Sequence, residues 1–324
     1  MPCSSECQHY KMKEIIIEIR DFLKADFNIY AYLYTFLFLG IAIYFNYEHN
    51  FERVYINRFY AQPISYLIYT LYYLAPYYII LIPILFIKKQ QYKLLQSEFW
   101  VKSIIFFGTF GILVAFWQYR YLFNYAEIGG SDKVFYRQMV FNLKRIIPFL
   151  IIFYAVKRVY DKDDNHLFGL RFKGMSYKPF LIMLILMIPL IAIASYMPDF
   201  QRAYPQYKFW LYDGAFGMSP IQAAGVFEFV YGLDFASIEL LYRGALVVGM
   251  ARVLGREAVL PMAGAYVILH FGKPLGEAIS SFFGGFILGV HALEKRNIFG
   301  GIVIHVGIAY LMEIAAIWQH YHNL

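Results

Sequence analysis

The chain has 324 residues, of which 60% are apolar or aromatic and only 16% charged, with a mean hydropathy of +0.49 and a formal net charge of +7. A soluble globular domain carries about 25% charged residues, so that class is excluded, as are disorder and a fibrous repeat. A disulfide scaffold is excluded too, because the only cysteines, Cys3 and Cys7, sit together in a short polar N-terminal tail.

The composition predicts an all-α, polytopic integral membrane protein. Its 32 Phe, 31 Tyr and 4 Trp suit helices that cross two membrane interfaces, where amphipathic rings settle. The positive charge is what basic loops beside anionic lipid produce. Membrane lipid is therefore the expected partner, and nucleic acid is not.

Residues 1–26 carry both charge signs without an uninterrupted apolar stretch, which predicts a retained cytoplasmic tail rather than a cleaved signal. Ile15, Ile16, Phe22 and Leu23 recur at near-helical spacing among Lys13, Glu14, Glu18, Arg20 and Lys24, the pattern of an interfacial amphipathic helix. A solvated tail is the competing reading.

Crossing a bilayer takes about 20 mostly apolar residues. Nine stretches qualify in outline, near 28–46, 64–87, 100–118, 139–156, 179–197, 221–250, 258–270, 275–293 and 298–318, predicting about eight or nine transmembrane helices. Residues 27–219 hold the first five, 220–319 form a C-terminal core, and 320–324 are a tail. Lys and Arg total 18 in the loops on the N-terminal side and 10 on the other, a bias that favours a cytoplasmic N-terminus. The segment 258–270 is too short for a full span, and the HFGKP that follows reads as irregular backbone ending inside the bilayer.

Ionisable residues inside spans are costly and usually face the bundle interior, so each is a functional candidate. The first five spans hold almost none. The last four hold Glu228, Asp234, Glu239, Arg243, His270, Lys273, Glu277, His291, His305 and Glu313. Glu239 and Arg243 are four apart and share a helix face, which suits a buried ion pair; a purely structural role for Arg243 is the favoured reading of that spacing. At about 1.5 Å per residue, Glu239, Arg243, His270, Glu277 and His305 fall at overlapping depths. Two imidazoles, two carboxylates and a guanidinium around enclosed water make a plausible set for water activation. Glu228 and Asp234 are expected to meet loop polar groups or water, His291 the interface, and Glu313 a satisfied core environment. No HExxH or similar ligand spacing is present, so no metal or other cofactor is expected.

The series IELLYRG (238–244), AYVILHFGKP (265–274) and FFGGFILGVHALEKRNIFGGIVIH (282–305) resembles the CPBP family, the membrane group of CAAX proteases and bacteriocin-processing proteins. The resemblance covers roughly the last 90 residues of the membrane core. It implies a glutamic-type intramembrane endopeptidase in a bacterial cytoplasmic membrane, in which a glutamate and a histidine activate water while a second histidine and an asparagine stabilise the oxyanion. Carried over by motif, Glu239 matches the second motif glutamate, Arg243 the arginine, His270 the water-activating histidine and His305 the oxyanion histidine. Two positions depart: Ile238 stands where the first glutamate is usual, and Ala309 where the asparagine is.

Glu277, in the first turn after Lys273-Pro274, is a replacement for the missing carboxylate or simply complements a helix N-terminus. The leading expectation is a divergent CPBP-type endopeptidase acting on a membrane-associated peptide or protein. The alternatives are a non-catalytic CPBP-like scaffold, partner-binding or immunity-type protein and, behind both, a proton-coupled transporter.

Overall fold

The computed structural model describes residues 12–123, 128–172 and 177–322, and Cys3 and Cys7 lie outside them. Among the described residues there are helices and no strands. In chain order the α-helices are α1 Met12–Asp26, α2 Ile29–His49, α3 Ser65–Ile87, α4 Ser97–Ala115, α5 Gly130–Leu143, α6 Ile146–Tyr160, α7 Lys178–Ala194, the short α8 Pro198–Ala203, α9 Pro220–Glu239, α10 Ala251–Leu254, α11 Val259–Leu269, α12 Leu275–Lys295 and α13 Phe299–His322. A π-helical run, Leu240–Val248, continues α9 without a break.

Local chemistry sets several of these boundaries. The Asn28 side chain accepts from the backbone N–H groups of Tyr30 and Ala31 to start α2, and Asn50 ends it in the left-handed conformation. Ser219 and Gln222 form a reciprocal capping box at α9, with Pro220 in its first turn.

Among the described residues, six helical stretches are long and apolar enough to cross a bilayer: Ile29–His49, Ser65–Ile87, Ser97–Tyr121, Gly130–Tyr160, Leu275–Lys295 and Phe299–His322. This is fewer than the eight or nine expected, for physical reasons. Helix α7 is apolar but short. The stretch 221–250 is interrupted by Glu228, Asp234, Glu239 and Arg243 and is wound as α then π. Helix α11 has only 11 residues, as its sequence foretold. Of the three, α11 is buried from Val259 to Ile268 between α3 and α12. Wide faces of α2, α6 and α7, including Leu37, Ile151 and Ile185, are bare apolar surface of the kind lipid covers.

The α1 helix forms as the N-terminal pattern predicts. It docks on α12 through buried Ile15 and Phe22, Phe22 meeting Phe286 edge to face at 5.6 Å. Glu18 accepts from His291 and Lys295, each at 3.0 Å, so His291 is a buried partner of α1 and not an interfacial group as expected. Further ion pairs gird the same end of the bundle: Lys88 with Asp26 at 2.5 Å, Lys93 with Glu257 at 2.7 Å and Lys102 with Asp161 at 2.7 Å.

Burial alone would raise the Glu257 carboxyl, but the Lys93 hydrogen bond and charge outweigh it and hold the group below its ordinary 4.5. A carboxylate with a depressed folded value contributes stability that is fully present above pH 4.5 and lost as the pH falls through the folded value. Wild type should therefore lose its stability advantage over Glu257→Gln as detergent unfolding curves are taken below pH 4.5; a constant gap would count against the pairing.

Candidate active site

The site is assembled where α9 and its π-helical continuation meet α11 and α13. Glu239, the last residue of α9, is wholly buried, and Arg243 is 1% exposed. Arg243 Nη1 donates to Glu239 Oε1 at 2.7 Å, the pair anticipated from their spacing. Isolated at this depth each charge would be prohibitively costly, and together they largely offset that cost. The guanidinium also lies over the Tyr266 ring, 4.1 Å from its centroid, a cation–π contact that serves the face left without a carboxylate.

His305 reaches the same carboxylate from α13, with Nδ1 2.9 Å from Glu239 Oε1. The other oxygen, Oε2, is pressed against Gly301 one turn earlier on α13 and has no hydrogen-bond partner among the described residues. Only a residue lacking a Cβ leaves room there. Gly301→Ala should cost about 1–3 kcal/mol through overpacking, because Arg243 and His305 prevent Glu239 from swinging aside. Gly284→Ala, where a Cβ meets nothing within 4 Å, should be neutral or stabilising. Equal unfolding midpoints for the two variants would sink this account.

His270 closes α11 and is 9% exposed. Its Nδ1 lies 2.8 Å from the Tyr266 carbonyl, so Nδ1 carries the proton and Nε2 presents its lone pair. Both imidazoles flank the Tyr266 ring, at centroid distances of 4.6 Å for His270 and 5.9 Å for His305. The Tyr266 hydroxyl lies 3.2 Å from His305 Nε2 and 3.3 Å from Nδ1. Tyr266 was missed in the sequence, although its position four residues before His270 puts it on the same helix face.

Glu277 reaches the cluster from the first turn of α12, within electrostatic range of His305 and Tyr266. Its Oε2 accepts from the Tyr204 hydroxyl at 2.8 Å, and Lys273 approaches the same hydroxyl at 3.2 Å. Burial and the Glu277 charge hold the Tyr204 phenol well above its ordinary value, so it remains a donor. Tyr204 belongs to a strap running from Ser195 to Ser219 over the end of the site. The strap is tied again where Gln206 donates its backbone N–H to Glu313, at 3.1 and 3.0 Å to the two oxygens, and where Trp210 stacks on His320 at 3.8 Å. Glu313 is thus satisfied in the core, as expected.

The other sequence candidates lie elsewhere. Asp234 accepts with both oxygens from Arg145, a buried residue of the α5–α6 junction, so of the two expected partners it meets the loop polar group and not water. Ile238 is 6% exposed and packed in the main apolar core, and Ala309 is buried beside Phe227 and Tyr231. Neither missing side chain is replaced at its own position. Among the described residues no three His, Cys, Asp or Glu side chains gather closely enough to hold a metal ion.

Fold and site together define a polytopic all-α membrane protein with a charged, histidine-bearing centre buried among its C-terminal helices. Residues 222–311, which run from the first turn of α9 into α13 and include Glu239, Arg243, His270, Glu277 and His305, match the family model described as type II CAAX prenyl endopeptidase Rce1-like. The C-terminal region is therefore similar to the CAAX proteases over these residues. No curated protein and no solved structure matches the chain.

Proposed function

We propose that the chain is an intramembrane endopeptidase that hydrolyses a peptide bond of a membrane-associated peptide or protein. The observation that carries this reading is the pair of imidazoles flanking Tyr266, each with Nδ1 committed, one to a backbone carbonyl and the other to Glu239. An imidazole so tethered is fixed in direction, and the carbonyl partner of His270 also fixes its tautomer. His270 accepts from the attacking water through Nε2. His305, carrying a proton on each ring nitrogen, gives Nδ1–H to Glu239 and donates from Nε2–H to the oxyanion, with the Tyr266 hydroxyl as a second donor where Ala309 stands in place of the asparagine. Arg243 positions Glu239. A bacterial cytoplasmic membrane with the N-terminus inside is part of this proposal, resting on the family resemblance and the Lys and Arg bias of the loops.

The name of the matched family makes a prenylated C-terminal peptide the first substrate class to try. The direct test incubates purified protein in lipid with farnesylated CAAX peptides and unmodified membrane peptides and reads products by mass spectrometry. New termini in any of them support the reading, and intact peptides throughout oppose it. The burial of Ile238 in the apolar core favours a second reading, a partner-binding protein without cleavage, and intact peptides retained on the protein would support it.

A further inference from the structure

The proposed chemistry calls for a carboxylate beside His270; Glu239 is taken up by Arg243 and His305, one Glu277 oxygen by Tyr204, and Ile238 offers none. A fourth carboxylate reaches this region from outside the CAAX-protease-like segment. Glu52 stands in the π-helical turn Glu52–Ile56 that follows α2. A Cβ built on Gly272, two residues after His270, would lie 3.1 Å from Glu52 Oε2. The absence of a side chain at Gly272 is what admits the carboxylate to the turn.

The contact is held by a specific clamp. Asn46 accepts from the Glu52 backbone N–H at 3.0 Å and donates to the Phe271 carbonyl at 3.2 Å. Tyr47 donates to the Lys273 carbonyl at 2.8 Å. The end of α2 is thereby fastened to the His270–Lys273 turn on both sides of Gly272. Asn57, whose amide oxygen accepts from the Tyr69 hydroxyl at 2.6 Å, lies near enough to the Glu52 carboxylate to favour its charged form. Even so, Oε2 is buried and has no hydrogen-bond partner among the described residues.

The Tyr72 and Tyr242 hydroxyls are likewise buried without partners, and Tyr72 lies within electrostatic reach of both Glu52 and Tyr242. Polar atoms left this way inside a protein are met by ordered water or by a ligand. Burial pushes the Glu52 carboxyl above its ordinary value, with Asn57 opposing, which is the direction that tunes a carboxylate to act as a base near neutral pH.

We propose that Glu52 is the general base that works with His270; this rests on the endopeptidase reading above. The attacking water donates one hydrogen toward Glu52 Oε2 and the other toward His270 Nε2. As the water oxygen bonds to the scissile carbonyl carbon, its proton passes to Glu52, and the carbonyl electron pair moves to the oxyanion facing His305. Collapse of that intermediate breaks the C–N bond, and Glu52 returns the proton to the leaving amine.

The test compares wild type, Glu52→Gln, Glu52→Asp and His270→Asn in lipid on the peptide panel that wild type cleaves. Glu52→Gln should lower kcat about 100-fold or more with KM within about threefold, and should abolish the acidic limb of the pH profile. Its unfolding midpoint should be unchanged or higher, because a buried charge is removed. Glu52→Asp, which keeps the carboxylate, should recover part of kcat. If Glu52→Gln keeps the wild-type kcat and pH profile while His270→Asn is inactive, the Glu52 assignment falls and the endopeptidase reading stands. If wild type cleaves nothing, that reading falls, and Glu52 is judged by a high-resolution density map. A water within hydrogen-bond reach of both Glu52 Oε2 and His270 Nε2 supports the assignment, and no such water overturns it.

Discussion

Replacing His270 with asparagine should lower kcat for peptide cleavage by about 10²–10⁴-fold while changing stability little. The asparagine amide can still donate to the Tyr266 carbonyl that now takes the Nδ1 proton, so the end of α11 keeps its tether. The substitution removes the basic Nε2 that would receive a hydrogen from water. Parallel measurement of turnover and of thermal unfolding in detergent separates the two effects. A variant that unfolds early and loses activity in proportion would show that His270 serves packing; one that folds normally and turns over normally would remove it from the chemistry altogether.

Glu239→Ala should instead be among the most destabilising single changes available. It strands a guanidinium that is 1% exposed in a low-dielectric interior, and breaking such a pair from one side costs about 3–5 kcal/mol. It also deprives His305 Nδ1 of its acceptor. The double variant Glu239→Ala/Arg243→Met removes the orphaned charge and should recover a substantial part of the loss, since apolar replacement of a whole buried pair is often neutral or favourable. Unfolding of both singles and the double closes the cycle. Additive losses would mean that the two residues do not depend on each other.

These residues mark how far the sequence could be read. The apolar stretches were legible because a bilayer imposes a length, and α2, α3, α7, α12 and α13 begin and end within a few residues of where hydropathy put them. Span count was less legible, because the same hydropathy signal comes from short helices buried by protein, such as α11, as from helices facing lipid. The Glu239–Arg243 pair could be foreseen from its spacing of four, and the two histidines from the cost of placing them in spans.

Tyr266 was hidden because the chain has 31 tyrosines, and one more on an apolar helix carries no signal. Glu52 and Tyr204 were invisible for another reason. Each acts across a long sequence separation on the turn and helix start at 270–277, and only tertiary packing brings Asn46, Tyr47 and Tyr204 to those residues.

The π-helical run Leu240–Val248 begins immediately after Glu239, and its winding holds more residues per turn than an α-helix would. Neighbouring side chains on a helix diverge by about 100°, so the winding of this run sets the phase in which α9 presents its last residues. Ile238 falls in the apolar core and Glu239 among the charged groups. Shortening the run by one residue would rewind it as α-helix and turn everything upstream by about one such step. An insertion or deletion here thus acts as a selector between an apolar and an acidic side chain at the same point in space. A lineage could in this way silence or restore a carboxylate at the centre of its membrane core without substituting any residue there.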